Sequence, residues 1–117
     1  MVALCYLSPL VAPQSRAEAI ARIRALAQCV GGVRIQRRAQ TRMESLGYNI
    51  DDVRECLGGV YECDCVNDGA PEHPEKAPNG WVYEFVTDFG DDALYVKVCL
   101  NPDNVYVLSF KLDGSPA

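Results

Sequence analysis

Four polar side chains interrupt the apolar C-terminal third of the chain. Tyr95 and Lys97 lie in the run LYVKVCL (94–100), and Ser109 and Lys111 lie in VYVLSFK (105–111). A lysine inside an otherwise apolar strand costs desolvation, so something must offset it. A phosphate gripped by two ammonium groups would do so through charge-assisted hydrogen bonds. The plainer use of the same residues is to wet an exposed sheet face.

Spacing decides whether the four can act together. If Pro102-Asp103-Asn104 forms a three-residue hairpin loop with Asn104 left-handed, positions 101 and 105 pair. Tyr95 then faces Lys111, Lys97 faces Ser109 and Cys99 faces Val107. The opposite face collects Leu94, Val96, Val98, Leu100, Tyr106, Leu108 and Phe110. A four-residue loop would set Lys111 beside Leu94 and mix the two sets. A one-residue slip swaps faces, so this segregation favours the odd loop.

The elements that must position this face can be read from periodicity. Ser15 followed by Glu18 is a capping box opening a helix over about 15–30, with Ala19, Ile20, Ile23, Leu26, Ala27 and Val30 on one stripe and Gly31-Gly32 as its stop. Val33–Ile35 reads as a short strand or connector. A second helix follows near 37–46, with Ala39, Met43 and Leu46 inward, and Gly47 ends it. Asn49 caps a third helix with Asp51 and Asp52 in its first turn, buried through Ile50, Val53, Cys56 and Leu57, and stopped by Gly58-Gly59. From Val60 the period falls towards 2, predicting a strand over 60–66. The segment 67–80 carries three prolines and two glycines and reads as a long loop. Strands follow at about 81–87, 93–100 and 105–112. Helices first and an antiparallel meander after them predict one α+β domain spanning 1–117.

At 117 residues with 49% hydrophobic and 23% charged residues, the composition is that of a globular domain with no run long enough to cross a bilayer. The opening MVALCYLSPLVAP lacks a basic n-region and is read as an extended arm. An added edge strand or self-association into a homodimer are the uses open to it. Net charge is −5, yet Arg22, Arg24, Arg34, Arg37, Arg38 and Arg42 share a 21-residue window without an acid. Arg34, Arg37, Arg38 and Arg42 suit an RNA backbone or an acidic protein segment, or simply a solvated helix face.

The six cysteines have no framework spacing and are expected as reduced thiols in the cytoplasm. Cys63 and Cys65, read as projecting to one side of a strand, make with His73 at most a three-ligand zinc set of irregular spacing, so no metal is expected. His73, the only histidine, sits between prolines in the loop: an exposed bystander, or an acid–base group brought in by loop closure. Trp81 begins a strand, where packing is the ordinary role and stacking on a base the sharper one.

Together these segments resemble MqsR-type toxins, the motility quorum-sensing regulator family of bacterial toxin–antitoxin systems, within the RelE-like ribonuclease superfamily. The resemblance runs from about Arg22 to Lys111. It rests on the step from Val33 to Ala39, LGYNIDDVRECLGGV (46–60), Trp81, LYVKVCL and VYVLSFK, in order and nearly gapless. It implies a RelE-like α+β endoribonuclease that cleaves mRNA without metal or cofactor and is silenced by a cognate antitoxin. Tyr95 and Lys111 coincide with family residues implicated in activity. The family's lysine after the first long strand falls on Asn67, and its glutamine after the tryptophan falls on Val82; Lys76 in the loop is the nearest substitute cation. In such a reaction Lys111 and Lys97 would neutralise phosphate charge, while Tyr95 would orient the phosphate or donate a proton. A non-catalytic interaction domain of the same fold is the alternative.

Overall fold

The computed structural model describes residues 15–116. Helix α1 (Arg16–Ala27), strand β1 (Val33–Ile35), helices α2 (Arg37–Ser45) and α3 (Ile50–Gly58), a 3₁₀ turn (Glu62–Asp64) and strands β2 (Cys65–Gly69), β3 (Trp81–Phe89), β4 (Asp92–Leu100) and β5 (Val105–Leu112) follow in that order. The five strands form one sheet in the order β1-β5-β4-β3-β2. The fold is α+β, as expected. The expected meander is antiparallel throughout, but β1 adds to β5 in parallel, with Val33 beside Val105 and Ile35 beside Val107, and makes the sheet mixed. The N-terminal arm (1–14) falls outside the described residues.

Local chemistry sets the helix ends. The Ser15 hydroxyl accepts from the Glu18 amide at 3.1 Å at the start of α1. Asn49 and Asp52 form a reciprocal capping box at α3, at 3.0 and 2.9 Å. α2 ends in a Schellman motif: Gly47 takes φ +86, its amide reaches Glu44, and the Tyr48 amide reaches Met43. α1 stops at Ala27, short of the glycines, because the next two amides turn back three residues to Ala25 and Leu26. That leaves Val30 exposed, contrary to its expected place on the buried stripe. Ile50, expected inward at the start of α3, is also exposed. Gly32 is required where the chain doubles back, since a Cβ there would fall 2.0 Å from the Leu26 carbonyl oxygen.

The core joins Ile20, Ile23 and Leu26 of α1 and Val53 and Leu57 of α3 to one sheet face carrying Phe85, Leu94, Val96, Val98, Val105, Val107 and Phe110. Burying Phe85 and Phe110 completely is worth roughly 2–3 kcal/mol each in transfer terms. α2 lies along β5 and buries Ala39 and Met43. Tyr48 stacks edge-on against Phe89 and Phe110, at 5.6 and 5.8 Å, and pins the α2–α3 junction to the sheet. The expected strand at 60–66 begins only at Cys65, after the 3₁₀ turn, and runs to Gly69. The irregular segment is therefore 70–80.

Candidate nucleic-acid interface

The final hairpin brings Tyr95 opposite Lys111 and Lys97 opposite Ser109, as the segregation of polar residues demands. It does so by another route than a three-residue loop. Leu100 pairs with Val105 across a four-residue turn closed by Asn101 N–H donating to the Asn104 carbonyl at 2.9 Å, and Asn104 is not left-handed. Cys99 consequently pairs with Tyr106, not Val107. A β-bulge then intervenes. Val98 opposes Val107 and Lys97 opposes Ser109, so Leu108 is the extra residue that restores parity. Val105 and Val107 are thereby buried, and Tyr106 and Leu108, expected on the apolar face, turn towards the polar side.

That polar side opens into a cleft of about 670 Å³. α2 contributes Arg38 and Arg42, the sheet contributes Lys97, Tyr106, Ser109 and Lys111, and the 70–80 loop contributes His73 and Lys76. Five cations line the cleft (Arg38, Arg42, Lys76, Lys97 and Lys111) against one carboxylate, Glu72, on a chain whose net charge is −5. The side chains of Arg38, Lys76 and Lys97 have no hydrogen-bond or ion-pair partner among the described residues. Lys111 Nζ donates to the Ser115 carbonyl at 2.9 Å. Arg42 Nη2 donates to the Pro116 carbonyl at 2.5 Å and lies 3.5 Å from Ser115 Oγ. The imidazole of His73 is exposed, with Nδ1 3.4 Å from Glu75 Oε1.

Tyr95 does not line this cleft. Its hydroxyl donates to Glu84 Oε1 in a short hydrogen bond, while Asn67 Nδ2 donates to Glu84 Oε2 at 2.9 Å. Burial, and then the bond and charge of Glu84, push the phenol well above the ordinary tyrosine range. Lys111 Nζ lies 5.4 Å from the ring centroid, so Tyr95 supports the lysine from behind by a cation–π contact. Glu84 was not singled out from the sequence. Its signal is its place mid-strand in β3, directly opposite Lys97. Asn67 thus occupies its position as a partner of Glu84, and Val82 is buried.

The remaining expected residues scatter. Trp81 is partly exposed at the β2–β3 edge, where its Nε1 donates to Asp68 Oδ1 at 3.0 Å and Arg16 Nε reaches Asp68 Oδ2 at 2.8 Å. These two bonds hold the Asp68 carboxyl below its usual range. Arg34, beside Tyr106 on β1, and Arg37, at the start of α2, are exposed outside the cleft lining. Cys63 is exposed in the 3₁₀ turn, whereas Cys65 is buried with its thiol 3.4 Å from the Asn67 carbonyl. The two do not share a strand face as expected. No group of three metal-ligating side chains occurs among the described residues. No described helix is long and apolar enough to cross a membrane.

Fold and cleft together define an α+β domain with a basic, polar groove beside its sheet. No protein-family model matches the chain, and no curated protein matches it.

Proposed function

We propose that the cleft binds the phosphodiester backbone of mRNA and that the protein is an MqsR-like, metal-independent endoribonuclease held silent by a cognate antitoxin in the reducing cytoplasm. One observation carries the reading: Arg38, Arg42, Lys76, Lys97 and Lys111 converge on one groove of an otherwise acidic protein. Such a groove concentrates a polyanion and offsets charge at its phosphates. In the reaction the ribose 2′-hydroxyl gives up its proton as its oxygen attacks the adjacent phosphorus, the bond from phosphorus to the 5′-oxygen breaks to leave a 2′,3′-cyclic phosphate, and the departing 5′-oxygen takes up a proton in return. Lys97 and Lys111 meet the charge that builds on the phosphorane. His73 is the group on the wall suited to move the proton. Tyr95 is a positioning residue for Lys111, since its hydroxyl proton is committed to Glu84.

The second reading, a non-catalytic domain that takes an acidic protein segment in the same groove, draws on that commitment of Tyr95. Expression of the wild type against Lys97→Ala and Lys111→Ala separates them. Growth arrest with cleaved mRNA in the wild type, lost in both variants, supports the nuclease. Normal growth and intact RNA at verified soluble expression would sink it.

A further inference from the structure

Two of the five cleft cations are already engaged by the chain's own segment after β5, residues 115–116, the tail of the described fold. Gly114 takes φ +79 and the Ser115 amide closes a turn onto the Leu112 carbonyl at 3.1 Å, folding the chain back after β5. The Ser115 hydroxyl donates to the same carbonyl at 2.7 Å. This turn presents two backbone carbonyls, those of Ser115 and Pro116, to Lys111 Nζ and Arg42 Nη2. Carbonyl oxygens are neutral acceptors, so they satisfy the two cations without neutralising them. Arg42 and Lys111 come from different elements, α2 and β5, and among the described residues Ser115 and Pro116 bridge them.

We infer that the Arg42–Lys111 corner is a phosphate subsite of the cleft, capped in the free protein by residues 115–116 acting as a displaceable strap. The inference rests on the cleft being an RNA-backbone site. An incoming phosphate oxygen offers both cations a charged acceptor, and a bond between opposite charges adds Coulomb attraction that the same cation's bond to a neutral carbonyl lacks. The exchange therefore favours the phosphate, but binding must first release the tail. The strap keeps the corner ordered and selects against weak or singly charged anions. Detaching it should raise affinity for a polyphosphate backbone.

The test uses a fluorescein-labelled 2′-O-methyl oligoribonucleotide, which resists cleavage, and fluorescence anisotropy across a salt series. The proteins are the wild type, Lys97→Ala, a chain ending at Gly114, and Gly114→Val. The last forbids the left-handed turn and detaches the tail without truncation. Both tail variants should bind about 5-fold tighter at low salt. Their plots of log affinity against log salt should keep the wild-type slope, because phosphate displaces the strap in the wild type too and the same cations are neutralised in every complex. Lys97→Ala should bind more weakly. If it binds like the wild type, the cleft reading itself fails. If Lys97→Ala weakens binding while folded tail variants bind as the wild type or more weakly, the strap is refuted and the cleft stands. Circular dichroism confirms folding, and Gly114→Val decides the matter should the shortened chain not fold.

Discussion

Replacing Tyr95 with phenylalanine deletes one hydroxyl and nothing else, and the structure says what that hydroxyl does. It donates to Glu84, whose other oxygen is held by Asn67. A hydrogen bond to a charged acceptor contributes about 1.5–3 kcal/mol, and Tyr95 and Glu84 are only partly buried, so the loss should be about 1 kcal/mol. With a urea m-value of about 2 kcal/mol/M, the unfolding midpoint should fall by about 0.5 M. A double-mutant cycle with Glu84→Ala should return a coupling of about the same size. The pH dependence gives an independent check. Burial and Glu84 raise the folded-state pKa of Tyr95 above its unfolded value, so between the two the unfolded chain loses its proton first. The stabilisation is complete below about pH 10, the unfolded tyrosine value, and is lost as pH rises towards the folded one. Tyr48, pushed up to about 12 by its bond to Asp92 and by burial, adds a loss of the same sign. Urea titrations at pH 7, 9.5 and 11 should show the wild type losing more stability than Tyr95→Phe over the last interval. Identical midpoints at pH 7, together with parallel alkaline losses, would refute the account of Tyr95 as Glu84's partner.

Deleting Leu108 should preserve a cooperative thermal transition within several degrees of the wild type, because Ser109 then follows Val107 directly and still opposes Lys97, leaving Tyr95 opposite Lys111 and every face unchanged; loss of the cooperative transition would contradict the placing of the bulge at Leu108. Phe110→Ala should cost about 3–5 kcal/mol in chemical denaturation, since the ring is fully buried and also carries the edge contact to Tyr48. Lys76→Ala should weaken binding of an uncleavable single-stranded RNA and reduce its salt slope by about 0.7, whereas Arg37→Ala, outside the cleft, should change the slope little. Gly32→Ala should destabilise by several kcal/mol at the α1–β1 reversal, where its Cβ would overlap the Leu26 carbonyl; calorimetry reads this directly.

Some features of the protein are legible in the chain because they depend on neighbours in sequence. Ser15 and Asn49 each satisfy an amide three residues away, and Gly47 supplies the positive φ that stops α2. Period-2 alternation marked β3, β4 and β5 nearly to the residue, because one face of each packs on helices. It also put Tyr95 with Lys111 and Lys97 with Ser109, since mixing those faces would bury lysine. How the hairpin reaches that register was not legible. A three-residue loop, and a four-residue turn with a bulge at Leu108, satisfy the same parity, and only the backbone geometry of 101–104 distinguishes them. The pairing of β1 with β5 joins residues about 70 apart, which no local pattern encodes. The cleft is likewise a product of tertiary structure: α2, the sheet and the 70–80 loop each bring cations that are unremarkable alone. Their meeting depends on long-range closure of the chain, as does the capture of the Tyr95 hydroxyl by Glu84.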